Sequence, residues 1–308
     1  PFGIFSILYA IFKLRNITPN KDIRLDIFSL ILSSLGFGGL LYGFSSVGDF
    51  GWTSSHVIIA ITIGFLALVI FIVRQWKMDD PMLDFSVYKF PMFALSSIIS
   101  VTISASMFSG MLLTPLYVQT VRGISPFYSG ILMLPGAIVM GIMSPITGRL
   151  FDKYGAKALA IIGLSILVVT TYLLSFLTME DSYFYLMTLY TTRMFGMSLV
   201  MMPVMTNGLN ELPMRMNPHG TAMNNTLQQV SGAIGSAILL TIMAKHSETV
   251  GIVLQKQAAQ GKTFEFDIEL LAMLEGINHT FFISTIFALV ALLLALFIRR
   301  PNIPNIHD

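Results

Sequence analysis

The chain has 308 residues, of which 55% are hydrophobic and only 11% are charged, against roughly 25% charged residues in a soluble domain. Its net charge of +2 gives no electrostatic support for a nucleic-acid partner. The absence of cysteine excludes disulfides and Cys-ligated metals, and the five histidines lack metal-ligand spacing. We therefore expect an all-α, polytopic membrane protein that uses no cofactor and no metal.

The apolar runs, taken in chain order, predict eight complete transmembrane helices and one partial helix. Residues 1–12 are too few to cross a bilayer, which takes about 20 residues, and are predicted to be the end of a truncated helix. A basic loop, Lys13–Arg24, follows. The complete spans are Asp26–Ser46, Ser54–Val73, Met92–Leu113, Pro126–Thr147, Ala158–Leu177, Phe184–Thr206, Thr221–Ala244 and Ile277–Ile298.

Cations are distributed unevenly between the two sets of loops. Starting from Lys13–Arg24, alternate loops and the C-terminal tail hold 13 Lys or Arg residues, whereas the opposite loops hold four. The positive-inside rule then places the basic loops and the C-terminus in the cytoplasm. The outer segment, about 245–276, is expected to form short amphipathic helices on the outer surface or a poorly ordered, solvated loop.

The chain is organised around one short basic loop, Gly148–Lys157. Its charged residues are Arg149, Asp152, Lys153 and Lys157. Asp152 is expected to accept hydrogen bonds from the free N–H groups of the next helix and to favour its dipole. Gly148 and Gly155 are expected to let two helix ends approach without Cβ clashes. The simplest interpretation of these features is a positive-inside loop.

The full pattern of this loop, G-x-x-x-D-[RK]-x-G-x-[RK], resembles the signature loop of the major facilitator superfamily. In that family the loop follows the second helix of a six-helix half. The resemblance implies that its Asp and basic residues tie neighbouring helices together on the cytoplasmic side. It also implies that they help to hold one access state closed.

Arg193 lies about nine residues into the span Phe184–Thr206, where an unpaired cation is costly. It is predicted either to line a transport cavity or to snorkel toward an interface. It also resembles the Arg-x-x-x-Gly element in the fourth helix of the superfamily's first half, although Gly196 here comes one residue early. Small or kinking residues are expected to support close helix packing at Pro135, Gly136, Gly196, Gly232 and Gly235.

Four amides lie close together at the start of the next span: Asn224, Asn225, Gln228 and Gln229. Amides at this depth need partners on other helices or contact with water. Interhelical hydrogen bonding and a substrate path both explain them, and we expect a mixture in which one or two line the cavity. No Asp or Glu lies well inside any of the eight spans. If the protein is a proton-coupled pump, its proton-carrying carboxylate is therefore expected upstream of residue 1. The residue sets of an enzyme active site are also missing, so no enzyme activity is expected.

Further motifs resemble one branch of the superfamily, the 14-helix drug:proton antiporters. These are the QacA/EmrB-like exporters, including the lincomycin-resistance type. The motifs are Ser129-Gly130-x-x-x-Leu134-Pro135-Gly136, the run Asn207–Gly235 with Leu-x-Glu-Leu-Pro, Pro1-Phe2-Gly3-Ile4 and Asp80-Pro81-Met82-Leu83-Asp84. The resemblance implies two linking helices and loops over 13–91, a C-terminal six-helix half over 92–298 and a cytoplasmic tail over 299–308.

The implied function is part of a proton-driven efflux transporter in the cytoplasmic membrane. Its expected partners are the lipid bilayer, protons, a small amphipathic drug-like substrate and the missing N-terminal half of the transporter. The alternative is a non-transporting membrane fragment from a truncated or split transporter gene. Restoring the missing half distinguishes the two hypotheses, because only the first predicts transport.

Overall fold

A computed structural model describes residues 26–78 and 81–299 of the chain, and within these residues the structure is helical without strands. The predicted partial helix over 1–12, the basic loop Lys13–Arg24 and nearly all of the C-terminal tail lie outside the described residues. The α-helices are α1 (Ile27–Ser45), α2 (Val47–Phe50), α3 (Ser55–Lys77), α4 (Pro91–Leu116), α5 (Pro126–Leu173), α6 (Tyr183–Ser198), α7 (Met201–Leu209), α8 (Asn217–Ala259) and α9 (Ile268–Ala295).

Six helical segments of the described chain are long and apolar enough to cross a membrane, judged by length and composition. One of them, residues 126–176, is broken at Gly155 and therefore supplies two crossings. Helices α6 and α7 together cover the remaining span predicted from the sequence, Phe184–Thr206. This agrees with the eight spans predicted from the sequence. The break between α6 and α7 falls at Leu199 and Val200, because Pro203 has no N–H to donate to the carbonyl of Leu199.

The reversal between the two arms of α5 occurs at a single residue. The first arm continues as helix through most of the predicted loop, and only Gly155 has a non-helical conformation, with φ 78° and ψ 170°. L-residues with side chains rarely adopt this conformation, so the turn requires glycine. Gly148 has a different role from the one expected, since a Cβ there would make only an ordinary contact, 3.5 Å from Cε of Met202.

The first two long helices, α1 and α3, form a tightly packed pair. A Cβ on Gly39 of α1 would lie 2.9 Å from the Cα of Gly64 on α3, so the two backbones are almost in contact. The turn between the helices is fastened to α8, because Nε1 of Trp52 donates a hydrogen bond of 2.7 Å to Oγ1 of Thr241. The pair is thereby docked on one side of the remaining helices.

The outer segment differs from both sequence-based expectations. Helix α8 continues without a break to Ala259, and α9 begins at Ile268 after a short turn. At about 1.5 Å per residue, the 43 residues of α8 extend about 64 Å, roughly twice the thickness of a bilayer core. The segment is therefore a helical hairpin whose first helix is longer than a bilayer core is thick, rather than short surface helices or an irregular loop.

Candidate functional site

Four helices carry polar side chains at one level of the bundle, between two apolar clusters. One cluster includes Leu113, Leu174, Tyr190 and Phe281. The other includes Ile103, Leu167, Met197 and Ala288. The residues between these levels form what we call the polar layer: Ser106 and Ser109 of α4, Thr171 of α5, Arg193 of α6 and Ser284 of α9, all of them buried. These side chains thus lie at the same height on four neighbouring helices.

Arg193 is the largest member of the polar layer, and its side chain is 0% exposed. Its Nη2 donates a hydrogen bond of 2.5 Å to the carbonyl oxygen of Ser106, and its Nε donates one of 3.3 Å to Oγ1 of Thr171. The guanidinium fits into a notch on α4, where a Cβ on Gly110 would overlap Nη1. Arg193 therefore joins α6 to both α4 and α5.

The serines extend the polar layer to α9. Oγ of Ser109 lies 2.6 Å from Oγ of Ser284, and Oγ of Ser284 donates a bond of 3.1 Å to Oγ of Ser106. Ser106 is thus the centre of the network, since its carbonyl also accepts a hydrogen bond of 2.6 Å from Ser109. Such connected networks specify one packing arrangement, because each buried polar group finds a partner only there.

No carboxylate among the described residues forms an ion pair with Arg193. Its Nη1 has no hydrogen-bond partner there either. The guanidinium does not reach a solvent-exposed interface, so the side chain does not snorkel in this conformation. It is also covered by protein on all sides. A role in a transport cavity therefore stays a prediction, and it requires movement of the surrounding helices.

The four amides of α8 have different environments. Asn224 is buried and its Nδ2 has no partner among the described residues, whereas Gln228 is half-buried. Asn225 and Gln229 are exposed, and their spacing of four residues places them on one face of the helix. None of them bonds to Arg193. The structure thus separates the amides from the polar layer and leaves two of them on an open face of the bundle.

The glycines singled out in the sequence lie at close helix contacts. A Cβ on Gly136, next to Pro135 inside α5, would be 2.9 Å from Cγ of Met194. One on Gly196 would be 2.8 Å from the carbonyl oxygen of Gly163. Gly232 and Gly235 of α8 face α4. A Cβ on Gly235 would lie 2.8 Å from Cβ of Ala105, and one on Gly232 would overlap the ring of Phe108.

The charged residues of the signature loop lie on the surface, where Nζ of Lys153 is 5.2 Å from the centroid of the Tyr154 ring. Arg149, Asp152, Lys153 and Lys157 are all exposed, and no ion pair joins them to another described residue. The expected capping role of Asp152 is wrong for this structure. Its side chain makes no hydrogen bond to the second arm of α5, because helix continues past Asp152 as far as Tyr154 and the chain reverses only at Gly155.

Two polar contacts between distant segments were not predicted. Glu211 caps α4, since its Oε2 accepts hydrogen bonds from the backbone N–H groups of Met92 at 2.6 Å and Phe93 at 3.1 Å. Asn278 pairs with both backbone groups of Leu177, at 3.1 and 2.8 Å. The Leu-x-Glu-Leu-Pro motif contains Glu211 but does not reveal which helix the carboxylate caps.

We expect Glu211→Ala to lower the free energy of unfolding by about 0.5–2 kcal/mol, the usual cost of losing an N-cap acceptor. Glu211→Gln keeps an acceptor oxygen and should cost less. Denaturation of the protein in mixed micelles, followed by circular dichroism, measures both changes. Glu265→Ala, at an exposed position of the outer turn, is the control. Equal losses for Ala and Gln would show that the carboxylate charge, rather than the cap, matters.

Comparison with known proteins now adds to this geometry. Residues 27–236, more than half of the chain, match the family model described as Major Facilitator Superfamily. The chain belongs to the major facilitator superfamily. This confirms the family predicted from the signature loop, and it makes the protein a member of a superfamily of multi-pass membrane transporters rather than an enzyme.

Several bacterial relatives are similar over most of the chain. The MFS-type transporter YcnB of Bacillus subtilis is 41% identical over 304 residues, which cover 99% of this chain and 61% of YcnB. YhcA of the same organism is 51% identical over 242 residues, covering 79% of this chain and 46% of YhcA. The lincomycin resistance protein LmrB of Listeria monocytogenes is 42% identical over 300 residues, covering 97% of this chain and 62% of LmrB.

The chain therefore spans about three fifths of the length of YcnB and LmrB. Among solved structures, a bacterial homolog of the human lysosomal transporter Spinster, in an inward-facing and unoccupied conformation, matches with a TM-score of 0.52 and 12% identity. That match covers 86% of this chain and 67% of the other. At this identity the likeness shows the fold alone, which is the helical transporter fold predicted from the sequence.

Proposed function

We propose that this chain is the C-terminal part of a proton-driven exporter of drugs or other amphipathic compounds. In this proposal it lies in the cell membrane with its C-terminus in the cytoplasm. The observation that carries the proposal is the open face of α8, where Asn225 and Gln229 are exposed. The similarity to LmrB, whose name records lincomycin resistance, supports the choice of substrate class.

In the proposed transporter, the open face of α8 meets the N-terminal half, and the substrate path runs between the two. Transport sites of this kind lie near the bilayer midplane, between the repeats of the fold. Asn225 and Gln229 would offer polar contacts to the substrate, among the Met and Phe side chains that are abundant in this chain. Arg193 would contribute indirectly, by holding α4, α5 and α6 in register.

Proton coupling is assigned to the other half of the transporter. The acidic residues of the described helices lie at helix ends, at the turn of α5 or in the outer hairpin, and none lies at the level of the polar layer. A membrane-embedded carboxylate is the usual proton carrier of such transporters. Arg193 alone would disfavour cationic substrates, so the acids of the missing half would set the preference for cations.

Dye export tests the proposal directly. The chain is expressed in an efflux-deficient bacterium, alone and together with the N-terminal half of a related exporter. Proton-dependent efflux of a fluorescent cationic dye is then measured, after membrane insertion and pairing of the halves have been verified. We expect efflux only with the added half. Its absence in both strains would favour the alternative, a non-transporting fragment of a truncated or split gene.

In the paired transporter, Asp152→Asn is expected to reduce dye efflux to the background rate. The exposed carboxylate has no partner among the described residues of this half, so its proposed role is to bind across to the other half at the signature loop. Asp49→Asn, in the turn at the opposite end of the bundle, is the matched control and should transport normally. Full efflux by Asp152→Asn would contradict the proposed gating role of the loop.

A further inference from the structure

The helical hairpin between α8 and α9 carries a groove of about 440 Å³ on its surface. Both helices contribute apolar side chains to its lining, among them Met243 and Ile252 of α8 and Ile268 and Met273 of α9. Ile252 is 48% exposed, so part of this apolar lining is open. The volume falls within the range of about 300–1,000 Å³ that is usual for small-molecule sites. The groove is therefore large enough for a small organic ligand.

The groove lies past the end of the second arm of α5. Asn278 of α9 bonds to both backbone groups of Leu177, which follows the end of this arm. Ala156, at the start of the arm, belongs to the same apolar cluster as Ala295, so the arm and α9 run antiparallel. The α9 residues of the lining precede Asn278 by five to ten positions, which places them roughly 8–15 Å past the arm. The groove is therefore at the end of the bundle opposite to the signature loop, the outer end in the proposed orientation.

Two carboxylates line the groove, one from each helix: Glu248 of α8 and Glu269 of α9. The lining contains no Lys or Arg. Neither carboxylate has an ion-pair partner among the described residues, which include the whole of 245–276. This segment has five acidic residues and three lysines, a formal charge of −2 with His246 neutral. The groove thus combines apolar walls with two unpaired carboxylates in an acidic segment.

We propose that this groove binds an amphipathic organic cation. The apolar groups of the ligand pack against the Met and Ile side chains, and its positive centre lies between Glu248 and Glu269. Methionine suits this role because its flexible, polarizable side chain adapts to ligands of different shape. The two carboxylates disfavour an anionic ligand or an anionic lipid headgroup, because like charges at close range repel each other. The proposal concerns binding by this chain alone and does not require export.

Site-specific fluorine NMR tests the proposal, since the chain contains no cysteine and a single introduced cysteine reports from one position. Gln255→Cys, in the lining of the groove, is labelled with a trifluoromethyl group and titrated with tetraphenylphosphonium in nonionic micelles. We expect a saturable shift of the fluorine signal. Tetraphenylborate has the same shape and the opposite charge, and should bind about tenfold more weakly at this position. Thr263→Cys, exposed in the turn and outside the groove, is the control label and should not respond.

Glu248→Gln and Glu269→Gln should each weaken tetraphenylphosphonium binding by about two- to fivefold, the usual effect of one exposed ion pair, and the double variant by about tenfold. Glu265→Gln removes an exposed acid outside the groove and should leave the affinity unchanged. The proposal would be overturned by the absence of a saturable shift, by an equal response at Thr263→Cys, by equal binding of tetraphenylborate, or by full affinity in the double variant. Because binding is measured without transport, such a failure would leave the proposed export standing, and a failure of export would leave this proposal standing.

Discussion

Gly110→Ala is expected to lower the free energy of unfolding by about 1–3 kcal/mol, the usual cost of adding a methyl group to a filled core. A Cβ at this position of α4 would overlap Nη1 of Arg193. Because the guanidinium is fully buried and bonded to Ser106 and Thr171, it has no free space into which it can move. Titration with dodecyl sulfate in mixed micelles, followed by circular dichroism, measures the loss.

Arg193→Met removes the group with which the new methyl collides, so Gly110→Ala should then cost less than about 0.5 kcal/mol. The single variant Arg193→Met should still fold, since replacing a buried charge by an apolar side chain of similar volume is often neutral or stabilising. Gly141→Ala is the matched control, because a Cβ at Gly141 of α5 meets no atom within 4 Å. An equal cost of Gly110→Ala in both backgrounds would contradict the proposed fit of the guanidinium into this notch.

Gly155→Ala is expected to lower the free energy of unfolding by about 1–3 kcal/mol, because φ 78° with ψ 170° is accessible essentially only to glycine. Relief of this strain would separate the two arms of α5, so dye efflux by the paired transporter should fall as well. The same denaturation and efflux assays measure both effects.

Gly148→Ala tests whether this effect belongs to the turn alone. Both glycines are part of the signature loop, but a methyl on Gly148 makes an ordinary contact with Met202 in helical backbone. Since Ala is the better helix former by up to about 1 kcal/mol, Gly148→Ala should be neutral or stabilising. Similar losses of stability and efflux for Gly148→Ala and Gly155→Ala would contradict this expectation. They would show that both positions need a small residue, because both contact groups outside this half of the transporter.

The sequence predicted the number and approximate bounds of the crossings well, because bilayer thickness sets a helix length that can be counted along the chain. It failed for 245–276, where α8 and α9 form a helical hairpin. The polar composition beyond Ala244 indicates the end of the apolar span, but a helix satisfies its own backbone hydrogen bonds in water as well as in lipid. Composition therefore located the membrane boundary and did not locate the end of α8.

The candidate site was predicted only in part. Arg193 was identified because a cation inside an apolar run is conspicuous, yet its partners Ser106 and Thr171 are unremarkable residues 87 and 22 positions away. Asp152 was expected to cap a helix on the basis of its place in the loop, and it does not, whereas Glu211 caps α4 without having been predicted to do so. A side chain that caps another helix leaves no periodic signal, because the contact depends on how two distant segments pack.

The sequence by itself thus determined that this protein is a helical membrane protein, which family it resembles, and where its signature loop lies. These properties depend on local composition, run length and a contiguous motif. Only the tertiary structure decided that Arg193 is enclosed in a polar layer and that Asn225 and Gln229 are exposed while Asn224 is buried. These properties depend on how each helix is rotated about its axis and on which helices it contacts. Long-range packing sets both, and the local sequence does not encode them.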